Sequence, residues 1–267
     1  MIRTTAEKGR SNEQICNWIR FGRRLNANGM CKKTERNATD STSTVEVEKD
    51  EALPSKIDGV DVEPQKDKEN FNAVANFEAG IAAYQANDLP LAYEEFLAAS
   101  RKGHADSQFN LGLMYEQGIG VGKDEKEAVV WYGKSAAQGN AAAQFNLGVL
   151  YENGRGAKVD FAKANEWYRK ASVQGDALAI GNLGMLYVRG DGVTENKVAG
   201  VALLLMSATA DQSPENHAKR NITATRGLTA DMIAAAQALS EELSSAKNLL
   251  EPLDQYLRES ENRAKKK

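Results

Sequence analysis

The sequence has few of the residues that build metal sites and disulfide frameworks. It contains two cysteines, two histidines and five prolines in 267 residues. Cys16 and Cys31 both lie in a polar stretch near the start of the chain, so the fold does not depend on disulfides. His104 and His217 share no spacing with each other or with an acidic cluster. We therefore expect no metal site, no cofactor and no catalytic residue.

Long apolar segments are also missing. No run approaches the roughly 20 apolar residues that cross a membrane, and the N-terminus lacks the apolar core of a secretory signal. As written, the sequence predicts a cytoplasmic protein without a membrane span. A true N-terminus that differs from Met1 would leave a periplasmic or envelope location open. A second route to the envelope is the segment from Ile15 to Arg24, whose apolar and basic residues have helical spacing.

The charges are nearly balanced, with a formal net charge of -3. Nucleic-acid binders usually have a basic face, and none is visible in residues 71–212, so we expect no nucleic-acid partner. Residues 1–36 are basic and residues 37–70 are acidic, and both stretches are poor in apolar residues. Such a composition buries too little surface to offset chain entropy, so residues 1–70 are predicted to be disordered.

The most informative feature that is present is an internal repeat. From residue 105 to residue 212 the same residue types recur at an interval of 36 residues, as at Gly112, Gly148 and Gly184. A period in this range is typical of a solenoid made of stacked supersecondary units. The first two copies also align Leu111 with Leu147, Tyr115 with Tyr151, Gly118 with Gly154, Ala128 with Ala164, Trp131 with Trp167 and Tyr132 with Tyr168.

Each copy is predicted to be a helical hairpin. Apolar spacing indicates one helix from about residue 106 to 117 and a second from about residue 125 to 138. Glycine inside a helix costs about 1 kcal/mol relative to alanine, so the recurrence of Gly112 predicts a compensating close helix contact. Gly118 falls where a helix end favours left-handed backbone, and Gly120 is predicted to let the chain reverse. A single hairpin is predicted to be unstable alone, because ordering its residues costs on the order of tens of kcal/mol.

Weaker signals extend the array at both ends. Residues 71–104 reproduce the pattern in divergent form, which predicts four repeats at 71–104, 105–140, 141–176 and 177–212. An apolar stripe after residue 212 predicts capping helices over residues 213–250 that cover the last repeat. Residues 251–267 are predicted to be a basic, mobile tail. The stripe consists of Met232, Ile233, Ala236, Leu239 and Leu243.

Three motifs connect the copies to a known family. They are Gln-Phe-Asn-Leu-Gly at 108–112 and 144–148, Tyr-Glu-x-Gly-x-Gly at 115–120 and 151–156, and Ala-x-x-Trp-Tyr-x-Lys at 128–134 and 164–170. In these motifs the chain resembles the Sel-1-like repeats of bacterial proteins, which are related to the tetratricopeptide repeats. The resemblance implies an α/α superhelical solenoid whose first helices line a concave groove that binds a protein or a peptide.

We therefore predict an all-α, right-handed solenoid of four hairpins with a C-terminal helical cap. The expected function is that of a protein-interaction scaffold or adaptor, not an enzyme, and a monomer is expected. The resemblance leaves one alternative open, a secreted or envelope protein that binds or hydrolyses β-lactam or cell-wall compounds. Members linked to that activity have a cysteine pair in each repeat, and this chain has no cysteine after Cys31.

The glycine string at 118–123 invites comparison with a phosphate-binding loop. A strand should precede such a loop, but a helix is predicted there, and Asp124 stands where Ser or Thr would hold magnesium. We interpret these glycines as turn residues.

A column of asparagines is the strongest candidate for a binding site. Asn110, Asn146 and Asn182 hold the same place in successive first helices, where the related folds face their groove. Amide side chains both donate and accept, so such a column could bind an extended peptide backbone. The alternative is that the asparagines bond to neighbouring repeats or a loop, and the sequence leaves both open. The neighbouring candidates are Asp106, Phe109, Leu113 and Glu116 in one copy, and Ala142, Phe145, Val149 and Glu152 in the next.

Overall fold

The computed structural model describes the backbone of residues 64–266 and the side chains of residues 72–266. Within that range the regular secondary structure consists of 11 helices and no strand. The segment from Ile15 to Arg24 and both cysteines lie outside the described residues. The helices are α1 (Pro64–Gln85), α2 (Leu89–Arg101), α3 (Ala105–Gln117), α4 (Glu125–Ala137), α5 (Ala141–Asn153), α6 (Phe161–Val173), α7 (Ala177–Arg189), α8 (Lys197–Ala210), α9 (Ala218–Ala224), α10 (Ala230–Ser245) and α11 (Leu250–Lys265).

The first eight helices form four consecutive hairpins. Each pair from α1–α2 to α7–α8 packs internally, and the second helix of each of the first three pairs packs against the first helix of the next. The predicted all-helical solenoid is therefore confirmed. The predicted helix limits in the repeats differ from the observed limits of α3 and α4 by one residue at most.

The helix ends follow from local side-chain and backbone chemistry. Each helix from α2 to α8 begins with a side chain that accepts a hydrogen bond from a backbone N–H of the first turn, which satisfies a donor that the helix leaves unpaired. Gly118 ends α3 with a left-handed backbone (φ 73°), as predicted. The capping side chains are Asp88, His104, Asp124, Asn140, Asp160, Asp176 and Asn196.

In the first three hairpins a glycine inside the first helix lies against an aromatic ring of the second helix, whereas Gly184 in the fourth lies against Gly200, Leu203 and Leu204. A Cβ added to Gly112 would lie 2.5 Å from a ring carbon of Tyr132, and one added to Gly148 would lie 2.6 Å from a ring carbon of Tyr168. Both rings are fully buried. The predicted close helix contact is confirmed, and burial of a large ring compensates for the low helix propensity of glycine.

The apolar core is shared between repeats. The cluster around Tyr132 includes Phe109 and Leu113 from α3 of the same repeat, and Leu147 and Leu150 from α5 of the next. Because each core needs residues from two hairpins, each repeat depends on its neighbour for burial.

The C-terminal helices cover the last hairpin. Ala236, Leu239 and Leu243 of α10 are buried in the cluster that also contains the residues of α7 and α8. Ile233 is 41% exposed, so the covering stripe is narrower than predicted.

Two predicted boundaries are wrong. Residues 251–265 are not a mobile tail but belong to α11, which buries Leu253 completely. Asp254 of α11 also accepts two hydrogen bonds from Arg169 of α6, at 2.6 and 2.7 Å. At the other end α1 begins at Pro64, so residues 64–70 are helical, as suits a proline in the first turn.

Candidate functional site

The structure separates the predicted groove residues into two groups. Phe109, Asn110 and Leu113 of α3 are buried, and Ala142 of α5 is 8% exposed, so these four offer no surface to a ligand. Their burial does not fit a surface that contacts a ligand, and at Phe109 the ring of Tyr132 packs against the side chain with 5.8 Å between the two ring centroids. The other candidates retain exposed surface: Asp106 is exposed, whereas Glu116, Phe145, Asn146, Val149, Glu152 and Asn182 are half-buried.

The asparagines of α5 and α7 bond to the preceding repeat. Asn182 donates from Nδ2 to the hydroxyl of Tyr168 at 3.1 Å, and the equivalent Asn146 acts on Tyr132, whose pKa it lowers. Each tyrosine hydroxyl in turn donates to a carboxylate of its own hairpin, Tyr132 to Glu116 at 2.7 Å and Tyr168 to Glu152 at 2.6 Å. These contacts support the alternative in which the asparagine column joins neighbouring repeats. We call each three-residue unit a Tyr-Glu-Asn bridge.

Burial and the adjacent carboxylate raise the pKa of both tyrosines, whereas the asparagine of each bridge acts in the opposite direction. Burial and then the adjacent Glu116 carboxylate raise the pKa of Tyr132 well above its usual value. Burial and then Glu152 act in the same direction on the pKa of Tyr168. A protonated hydroxyl donates to the carboxylate and accepts from the asparagine, so one group satisfies partners in two repeats.

The equivalent positions at the two ends of the array lack the bridge. In the first hairpin Phe96 lies over Gly80, 2.6 Å from a Cβ added there, as Tyr132 lies over Gly112. Phe96 has no hydroxyl, and both polar atoms of the next asparagine, Asn110, are buried without a hydrogen-bond partner. In the last hairpin all three positions are apolar, with Val188, Leu204 and Ala218 packed in one cluster. In the last hairpin all three polar residues of the bridge are therefore replaced by apolar residues.

A second polar contact between repeats comes from a loop. Arg155, which follows α5, donates to Glu116 at 3.0 Å and to Glu125 at 2.7 Å, both in the preceding repeat. Hydrogen bonds from Arg155 and Lys123 hold the pKa of Glu125 below its usual range. The sequence analysis placed Glu116 and Glu152 among the candidates beside the asparagine column, and in the structure both carboxylates accept hydrogen bonds from other side chains of the array.

The described residues were also compared with the requirements of a metal site and of a membrane-spanning helix. Within residues 72–266 no group of three or more His, Cys, Asp and Glu side chains is placed to hold a metal ion. Among the helices of the described part of the chain, none has the length and apolar character needed to span a bilayer.

His104 is a helix cap whose ring Nδ1 accepts from the backbone N–H of Ser107 at 3.2 Å. Burial lowers its pKa from 6.5, with Asp106 acting in the opposite direction. The folded state thus favours the neutral ring, so its stabilising contribution is present above pH 6.5 and is lost as the pH falls below that value. A capping bond is worth about 1 kcal/mol.

We therefore expect His104→Asn to reduce the loss of stability between neutral pH and about pH 5. Asparagine caps the next first helix at Asn140 and does not titrate. Urea unfolding at several pH values measures the effect. The matched control is His217→Asn, because His217 is exposed and makes no capping hydrogen bond. Equal pH dependence in wild type and His104→Asn would contradict this assignment.

Sequence reasoning missed a cluster of cations near the end of α7. Arg189, Lys197 and Arg226 line one cavity of about 370 Å³ together with Met185 and Val188. Met185 and Val188 lie one period after Val149 and Glu152. Extending the candidate positions to the third copy would therefore have included both residues. Arg226 lies outside the repeats and has no periodic signal.

The geometry defines a solenoid of helical hairpins in which a glycine of the first helix packs against the second helix. The family model described as Sel1 repeat matches residues 105–140, 141–176 and 177–212, which are three of the four hairpins. Sel1 repeat proteins are generally non-enzymatic scaffolds for protein-protein interaction.

Two solved structures are similar to this chain. One is a Sel1 repeat protein from Oxalobacter formigenes, with 34% identity, coverage of 57% of this chain and 57% of that chain, and a TM-score of 0.49. The other is c5321, described as a protective antigen in uropathogenic Escherichia coli strains with an SLR fold, with 28% identity, coverage of 72% of this chain and 49% of that chain, and a TM-score of 0.45. The match thus spans about half the length of each of these proteins. No curated protein matches the sequence.

Proposed function

We propose that this chain is a protein-interaction scaffold that binds a protein or a peptide along the first helices of its third and fourth hairpins. The observation that carries the proposal is a set of half-buried apolar side chains on α5 and α7. Phe145 and Val149 are four residues apart, and Met185 and Val188 are three apart, so each pair shares one helix face. We call these four residues the first-helix face.

The surroundings of the first-helix face favour a polypeptide ligand. Val149 and Met185 hold the same position in successive repeats, so the face continues across the repeat boundary. Clustered apolar surface with polar neighbours is typical of interaction sites. Glu152 and Asn182 are also half-buried near this face, but their side chains are engaged with Tyr168. The apolar side chains, and not the asparagine column, are the proposed contact surface.

Affinity capture with the full chain tests this function. Val149→Asn places a polar amide on the first-helix face, whereas Val130→Asn makes the same change on α4, where Val130 is 46% exposed. Circular dichroism establishes that both variants are folded. We expect the proteins captured by wild type to be retained by Val130→Asn and lost or reduced about tenfold by Val149→Asn. If the Val149→Asn variant captured the same proteins as wild type in the same amounts, the proposal would be overturned.

The alternative function, binding or hydrolysis of β-lactam or cell-wall compounds, gains no support from the described side chains. It stays a prediction from the family resemblance.

A further inference from the structure

The cavity at the C-terminal end of the first-helix face has a mixed lining. Met185 and Val188 of α7 and Ala224 of α9 form an apolar wall. Arg189, Lys197 and Arg226 place cationic groups around it, and Glu195 is the one carboxylate among the lining residues. Three cations against one anion give the cavity a net positive charge.

The cations are only weakly neutralised. Lys197 Nζ lies 3.5 Å from Glu195 Oε1, and Arg189 Nη1 lies 3.7 Å from Glu152 Oε1. These contacts are long and partly exposed, and such ion pairs contribute little. Arg226 is exposed, and it takes part in none of the ion pairs among the residues whose side chains the structure describes. Its guanidinium can therefore bind an incoming carboxylate without first giving up a partner.

The apolar wall of the cavity favours a ligand that also has apolar side chains. Met185 belongs to the first-helix face, so a chain lying along Val149 and Met185 would reach the cations next. Methionine is flexible and adapts to apolar side chains of different shape. A volume of about 370 Å³ accommodates a few side chains and not a folded domain.

We propose that this cavity binds an extended peptide segment in which Asp or Glu side chains alternate with apolar residues. The inference rests on the proposed function and specifies its ligand. Apolar side chains contact Met185 and Val188, and the neighbouring carboxylate pairs with Arg226 and Lys197. Electrostatic complementarity then determines which peptides are accepted.

Fluorescence anisotropy of the full chain with short synthetic peptides tests the inference. The probe is an acetylated and amidated peptide of alternating leucine and glutamate, and its control replaces each glutamate with glutamine. Capping removes the terminal charges, so only side-chain carboxylates differ. At physiological ionic strength we expect the glutamate peptide to bind about tenfold more tightly, with a preference that weakens as salt is added.

Charge reversal locates the binding site. Arg226→Glu is expected to weaken binding of the glutamate peptide about tenfold, and Arg226→Ala by a smaller factor. Arg220→Glu is the matched control, because Arg220 is exposed on α9 and does not line the cavity. It should leave the affinity within about twofold. Circular dichroism confirms that each variant is folded.

The outcomes separate this inference from the proposed function. Equal affinity for the two peptides, or no effect of either change at Arg226, overturns the inference. If Val149→Asn still reduces the capture of partner proteins in those cases, the proposed function stands although the inference about the cavity fails. If no peptide binds and capture is insensitive to Val149→Asn, both are overturned.

Discussion

Replacement of Gly156 by alanine is expected to lower the free energy of unfolding by about 3 kcal/mol. An added Cβ would lie 2.0 Å from the carbonyl oxygen of Glu125, the first residue of α4 in the preceding repeat. The residue also has a φ of 68°, which alanine adopts only with strain. Both costs act at the point where one repeat contacts the next.

Gly175→Ala is the matched control for this substitution. Gly175 has a φ of 81°, and a Cβ added to it would meet nothing within 4 Å. We expect Gly175→Ala to cost only about 1 kcal/mol, from backbone strain alone. Urea unfolding of the two variants measures the difference. Equal costs would show that the close approach of Gly156 to Glu125 does not stabilise the array.

Leucine at the first two asparagine positions is expected to change stability in opposite directions. Asn110→Leu should raise the free energy of unfolding by about 1 to 2 kcal/mol, because it removes a buried amide whose atoms have no hydrogen-bond partner. Asn146→Leu should lower it by about 1 to 3 kcal/mol, because Tyr132 loses one partner of its bridge.

Thermal and urea unfolding of both variants give the sign directly. Because the substitution is the same and the positions are one period apart, differences in volume and helix propensity largely cancel. A loss of stability in Asn110→Leu as large as that in Asn146→Leu would contradict the assignment of the bridges.

The period was sufficient to predict the hairpins, their helix limits and the close contact at Gly112. These features follow from local spacing and from residue types that recur. The reason for the second loop glycine was missed: Gly120, Gly156 and Gly192 each approach the start of the second helix of the preceding repeat. That contact joins residues distant along the sequence, so no local pattern predicts it.

The ends of the array were harder to predict than its middle. Charged residues dominate residues 251–267 and conceal the apolar edge of α11, which packs Leu253, Tyr256 and Leu257 on the core. Phe109 and Leu113 do not fit a surface that contacts a ligand, because both are buried in the cluster of Tyr132. Arg226 joins Arg189 and Lys197 only through the fold, since α9 brings it back to the last repeat.

The dependence of each hairpin on its neighbours is tested most directly by circular dichroism of an isolated peptide of residues 141–176. In the full chain this hairpin buries Leu147 and Leu150 in a core that also needs α3 and α4. We expect the peptide to show little helix and no cooperative thermal transition. A helical spectrum close to that of the same segment in the full chain, with a cooperative melt, would contradict the account.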